Sequence, residues 1–174
     1  MDIRYPIGTF TCEGEITSQQ RAIWMQEIRE LPKKLRETVK DLTEEQLNIP
    51  YREGGWMLRQ VVHHIADSHM NSFMRFKLAL TEDEPTIKPY FENRLALLED
   101  STEADIEFSL SLIDGLHMRW VILLNSMDDA QFKRQFYHPE SKQMTPLDYN
   151  LGMYAWHGNH HTAHIKMGRD RLKI

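Results

Sequence analysis

Four stretches of the chain carry hydrophobic residues at spacings of three and four, the repeat of a helix with one buried face. The first predicted helix begins at the cap pair Thr17-Ser18 and runs to about Leu42. Pro32 lies inside its apolar stripe, so we expect a kink or a split at this point. The other three predicted helices cover residues 56–80, 105–126 and 145–169.

Four long helices in 174 residues predict an all-α fold, a four-helix bundle. We interpret residues 1–16, which mix proline, glycines and aromatic residues, as an N-terminal arm, and 1–174 as a single domain. No convincing strand pair is evident. The segment FKRQFYHP is compatible with one short extended piece.

Composition narrows the classes of function. The net charge is −5 and no segment is strongly basic, so we expect no nucleic-acid partner. No apolar run approaches the length of a membrane span, and MDIRYPIGTF lacks the apolar core of a signal peptide. Cys12 is the single cysteine, which fits a cytoplasmic location and excludes an intrachain disulfide. We do not favour it as a nucleophile.

The segment MYAWHGNHHTAHIK places four histidines within eight residues of the last helix. Side chains at i and i+4 lie one turn apart on one side of a helix, so such a pair can reach one metal ion. Two pairs have this spacing, His157/His161 and His160/His164. A catalytic zinc-type site needs a third protein ligand and an open position, so another helix must contribute.

The second helix supplies candidates in VVHHIADSH: His63, His64 and His69. Periodicity alone ranks His69 first, near the centre of the apolar face, and His64 second. A single histidine at such an edge is usually only hydrogen-bonded. Two clusters on separate core-bordering helices favour a metal site, although the sequence lacks the H-E-x-x-H motif of zincins.

The chain resembles the DinB-like superfamily, and within it the YfiT-type metal-dependent hydrolases. The resemblance covers nearly the whole chain. It is carried by RYPIGTF, by PYREGGWMLRQVVHHIADSHMNSFMRFKLALTEDEPTIKPY, by QFKRQFYHP and by WHGNHHTAHI. It implies a four-helix bundle of up-down-down-up topology, commonly a homodimer, with one divalent zinc or nickel ion per subunit.

The resemblance also implies three histidine ligands, matched here to His64, His160 and His164, and this match overrides the periodicity ranking of His69. His64 versus His69, and His160/His164 versus His157/His161, remain open alternatives. Asp67, His161 and His157 are candidates for groups that support the ligands or carry protons. The sequence assigns no general acid or base and no substrate-binding residues.

Three functions compete. In the first, the ion activates a bound water for hydrolysis of an ester, amide or similar carbonyl. In the second, suggested by other DinB-like proteins, it activates a low-molecular-weight thiol such as bacillithiol for S-transfer. In the third, the chain is a non-catalytic metal-binding module, which would need a fourth protein ligand. For either enzyme we expect a small-molecule substrate and no membrane partner.

Overall fold

A computed structural model describes residues 2–173, and the four predicted long helices are present in it. Each observed boundary lies within three residues of its predicted position. The long helices are α1 (Ser18–Val39), α3 (Leu58–Thr81), α6 (Ile106–Ser126) and α8 (Leu147–Leu172). The short helices are α2 (Glu44–Leu47), α4 (Glu92–Leu95), α5 (Glu99–Thr102) and α7 (Asp129–Phe132).

The long helices form a bundle with an unusual order of neighbours. Both α1 and α3 pack against α6 and α8, so α1 and α3 lie across the diagonal although they follow each other along the chain. In a simple up-down bundle, consecutive helices are neighbours. This arrangement allows residues of α3, α6 and α8 to meet in the interior.

The expectation of no strand pair was wrong. Strand β1 (Gln135–His138), inside the segment compatible with an extended piece, pairs antiparallel with β2 (Gln143–Pro146). Four-residue strands are too short to show a reliable alternation of polar and apolar positions. The hairpin leads directly into α8 and contacts α3.

Helix α1 begins where the sequence predicts, because the Thr17 side chain accepts a hydrogen bond from the Gln20 amide at 3.2 Å. Pro32 does not split it, and one helix runs from Ser18 to Val39. Proline lacks an N–H, so the carbonyl of Ile28, four residues earlier, has no helical donor from this position.

The core has two apolar halves. One half contains residues such as Phe76, Trp120 and Leu151, and the other contains residues such as Leu58, Ile65 and Ile165. On α8 the four clustered histidines lie between the positions of the two halves, and His69 does so on α3, while His117 of α6 lies at the edge of the first half. A polar layer therefore crosses the middle of the bundle. Among residues 2–173, no helix is both long and apolar enough to span a membrane.

Candidate metal centre

Three histidines from two helices converge in the polar layer. His64 of α3 and His157 and His161 of α8 each present a ring nitrogen, and these atoms lie within 4.8 Å of one another. The Nε2 atoms of His64 and His157 are 3.2 Å apart. The ring of His161 lies 4.6 Å from that of His64, centre to centre. This group has the composition of a three-histidine metal site.

The structure does not bring the expected set His64, His160 and His164 together as one such group. It gathers His160 and His164 in a second group with His161. The reason is angular: at about 100° per residue, the 157/161 pair points roughly 60° closer to the apolar face than the 160/164 pair does. The first pair therefore reaches α3, and the second faces the N-terminal arm.

His160 and His164 have surroundings of their own. The ring of His160 stacks on Trp156 at 4.5 Å, and its buried Nδ1 has no hydrogen-bond partner within residues 2–173. His164 stacks on Tyr51 at 4.1 Å, and its Nε2 lies 3.2 Å from the carbonyl oxygen of Arg4. Its Nδ1 lies 3.4 Å from Nδ1 of His161.

Asp67, a candidate support for the ligands, is half-buried, and burial raises the pKa of its carboxyl group. In the described part of the chain its carboxylate makes no hydrogen bond to a histidine. Only its backbone oxygen is used, by Asn71.

A chain of hydrogen bonds connects the group to the opposite side of the bundle. His157 Nδ1 lies 3.2 Å from His69 Nε2, and His69 Nδ1 lies 3.0 Å from His117 Nε2. His117 Nδ1 then lies 2.6 Å from the Ile28 carbonyl oxygen. His69, the first choice by periodicity, thus contacts His157. His117 was missed, because the apolar stripe of α6 made it look like an ordinary core position.

Burial keeps these imidazoles neutral at ordinary pH. It lowers the pKa of His64 and of His117 to about 4 in each case, because a charged ring would lose its hydration. For His69, His157 and His161, burial and the neighbouring rings hold the pKa well below its usual value. A neutral imidazole keeps one lone pair, which a metal ligand requires.

The group opens on one side to a cavity of about 380 Å³. Polar side chains lie beside it: Ser68 Oγ is 3.4 Å from His157 Nε2 and 3.4 Å from the Tyr154 hydroxyl. Tyr90 also lines the cavity, and burial raises the pKa of its hydroxyl. The remaining lining residues include Trp56, Arg75, Glu92, His138 and Glu140.

Comparison with known proteins agrees with this fold. A protein named "Putative metal-dependent hydrolase" from Bacillus mycoides is 54% identical over 171 residues, 98% of each chain. Another of that name from Bacillus cereus strain B4264 is 53% identical over the same share. The solved structure of YfiT from Bacillus subtilis, described as "a probable metal-dependent hydrolase with an unusual four-helix bundle topology", is 48% identical. It has a TM-score of 0.97 and covers 99% of each chain.

The model of the DinB superfamily matches residues 27–165, a segment that contains α3, α6 and all the clustered histidines. With the full-length relatives, this match establishes the family. The chain belongs to the DinB superfamily.

Proposed function

We propose that the protein is a metal-dependent hydrolase whose ion is held by His64, His157 and His161. The observation that carries the proposal is the convergence of three neutral imidazoles at the wall of an open cavity. The names of the relatives support the same activity.

The donor set fits a divalent zinc or nickel ion. Two nitrogens bound to one tetrahedral zinc at about 2.0–2.1 Å stand roughly 3.3–3.4 Å apart. The 3.2 Å between the Nε2 atoms of His64 and His157 is close to this value. Imidazole nitrogen is a preferred ligand of both metals.

When bound, such an ion acts as a Lewis acid that lowers the pKa of a water molecule and polarises a carbonyl. Three protein ligands leave an open position, whereas a structural site is normally closed by a fourth. The chain supplies the surroundings: Trp56 packs against His64 at 4.7 Å, and the Ser68 hydroxyl lies within reach of a molecule beside His157.

Hydrolysis of a panel of activated esters and amides, by metal-free protein reloaded with one equivalent of zinc or nickel, tests the proposal. We expect turnover that depends on the metal and is lost in His157→Ala. His160→Ala is the matched control, because it removes a neighbouring histidine outside the group. Turnover that survives in His157→Ala, or none with either metal across the panel, would refute the proposed hydrolase.

A further inference from the structure

The Ile28 carbonyl dictates where the protons lie along the histidine chain. A carbonyl oxygen only accepts, so His117 Nδ1, 2.6 Å away, must be the donor. Burial lowers the pKa of His117, so its ring is neutral at ordinary pH, and its Nε2 is therefore bare and accepts a hydrogen bond. His69 must then donate from Nδ1, across 3.0 Å, and keep its Nε2 bare. The same logic across the next contact, 3.2 Å long, places a proton on His157 Nδ1.

This order of protons fixes the tautomer of His157, a candidate metal ligand. With its proton on Nδ1, His157 presents a bare Nε2, the atom that lies 3.2 Å from His64 Nε2. Pro32 supports the anchor, because it provides no N–H to compete for the Ile28 carbonyl. A proline that looks unfavourable in the middle of α1 thus leaves an acceptor free on the side of the bundle opposite the cavity.

A second, shorter series of hydrogen bonds fixes the tautomer of His161 in the same way. The Arg4 carbonyl oxygen must accept from His164 Nε2, 3.2 Å away, which leaves His164 Nδ1 bare. That atom accepts from His161 Nδ1 at 3.4 Å, and the Nε2 of His161 is left bare. Both series of hydrogen bonds begin at a backbone carbonyl, and each ends at a histidine ring of the candidate metal site.

We propose that His117, His69 and His164 are positioning residues that lock His157 and His161 in the tautomer whose Nε2 can bind a metal. The proposal rests on the proposed metal site for its purpose. The tautomers themselves are properties of the metal-free protein. Preset tautomers raise metal affinity because neither His157 nor His161 has to move a ring proton when the ion enters.

The first test is ¹⁵N NMR of histidine-labelled, metal-free protein, in which protonated and bare ring nitrogens have distinct shifts. We expect Nδ1–H and bare Nε2 for His117, His69, His157 and His161, and the opposite tautomer for His164. A proton on Nε2 of His157 in the parent protein would overturn the proposal, whether or not the protein binds metal.

The second test measures zinc affinity by chelator competition. His117→Phe removes the acceptor for His69, so the His157 tautomer is no longer fixed, and we expect affinity to fall by about 10–100-fold. His117→Gln offers an amide NH₂ group as donor and a carbonyl oxygen as acceptor, and it should restore most of the affinity. His63→Phe is the control, because it removes a buried histidine whose hydrogen bonds, within residues 2–173, go to Ser109 and Ala104.

Equal affinity of parent and His117→Phe would overturn the proposal while leaving the metal site intact. A fall of the same size in His63→Phe would do so as well, since it would reveal a general effect of lost packing. Absence of zinc binding in the parent would refute the proposed site instead, and the NMR result would still decide the tautomers.

An independent observation concerns Arg75, a buried side chain of α3 that lines the cavity. Its guanidinium carries five N–H donors, yet within residues 2–173 it makes one hydrogen bond, 3.5 Å long, to the Tyr154 hydroxyl. No carboxylate of the described chain lies within 4.0 Å of it. A buried arginine is normally paired, because an isolated buried charge is costly.

The position of this charge suits substrate recognition. Contacts of 3.5, 3.4 and 3.4 Å link Arg75 through Tyr154 and Ser68 to His157 Nε2. The acidic residues of the cavity, Glu92 and Glu140, are exposed, so water and salt screen them more strongly than the buried guanidinium. We infer that the substrate carries an anionic group, a carboxylate or phosphate, that pairs with Arg75.

Titration of metal-free protein with sodium phosphate and with sodium acetate, at constant ionic strength, tests this inference without metal chemistry. The Arg75 Nε–H signal in ¹⁵N–¹H NMR should shift and saturate, and the stronger anion identifies the preferred group. Arg75→Gln should bind at least tenfold more weakly, Arg75→Lys at an intermediate level, and the exposed control Arg119→Gln like the parent.

No saturable shift with either anion, or equal binding by folded Arg75→Gln, would overturn the inference. A second arm compares a neutral nitrophenyl ester with one that bears a free carboxylate. Loss of Arg75 should lower kcat/KM selectively for the charged ester. Absence of turnover for both esters would count against the hydrolase, and the titration would still decide the role of Arg75.

Discussion

Acidification of the metal-free protein should destabilise it through His117 in a calculable way. Burial lowers the pKa of this ring to about 4, against about 6.5 in an unfolded chain. As the pH falls below 6.5 the unfolded chain takes up the proton first, so the equilibrium shifts toward unfolding. The contribution of neutral His117 to the free energy of unfolding is fully present above pH 6.5 and is lost as the pH falls toward 4.

The size of this loss in the free energy of unfolding follows from the two pKa values of His117. At about pH 5, the unequal protonation of His117 alone lowers the free energy of unfolding by about 2 kcal/mol. Urea denaturation at about pH 7.5 and pH 5, on protein treated with a chelator and dialysed, measures the total acid loss. His64, His69 and the α8 histidines add to it, since their pKa values are also lowered.

The contribution of His117 is isolated by His117→Phe. The variant is expected to be less stable at both pH values, but its loss between them should be about 2 kcal/mol smaller than that of the parent. An acid loss in His117→Phe as large as in the parent would refute the reasoning, because it would show that His117 is not held neutral by burial.

Other predictions concern packing and chemistry. Gly158→Ala would place a Cβ 2.5 Å from Leu31 Cδ2, so we expect a net loss of about 1 kcal/mol in urea denaturation, overpacking outweighing the better helix propensity. Gly115→Ala, with nothing within 4 Å, should instead gain about 0.5–1 kcal/mol, and a loss there as large as at Gly158 would contradict the packing argument. Ester turnover by the zinc-loaded protein should be unchanged by an added low-molecular-weight thiol, as monitored by product release; turnover that requires the thiol would favour the S-transferase. Asp148→Ala should lower the free energy of unfolding by about 2–3 kcal/mol, because it leaves the Lys133 ammonium and the start of α8 without their buried partner; an unchanged urea midpoint would show that this pair adds little.

The long helices could be predicted because each carries a sustained apolar stripe, and Thr17 supplies a recognisable cap. The hairpin could not be predicted, because pairing of β1 with β2 depends on contacts between segments and not on a repeat within either.

The site was predictable only in part. The sequence points to α3 and α8 as the helices that carry the candidate ligands, and it leaves both i, i+4 pairs on α8 open. The choice between the pairs depends on how α8 is rotated toward α3, which a difference of about 60° around one helix axis decides. The roles of His117 and the Ile28 carbonyl could not be predicted for another reason: they arise from contact between helices that are distant in sequence.

The proposed site of His64, His157 and His161 is tested most simply by the metal content of tag-free protein, purified without added metal and measured by elemental analysis. His64→Ala, His157→Ala and His160→Ala are measured beside the parent. We predict about one zinc or nickel ion per chain in the parent and in His160→Ala, and almost none in the other two variants. Loss of metal in His160→Ala with retention in His157→Ala would contradict this prediction and assign the ion to the other pair of α8.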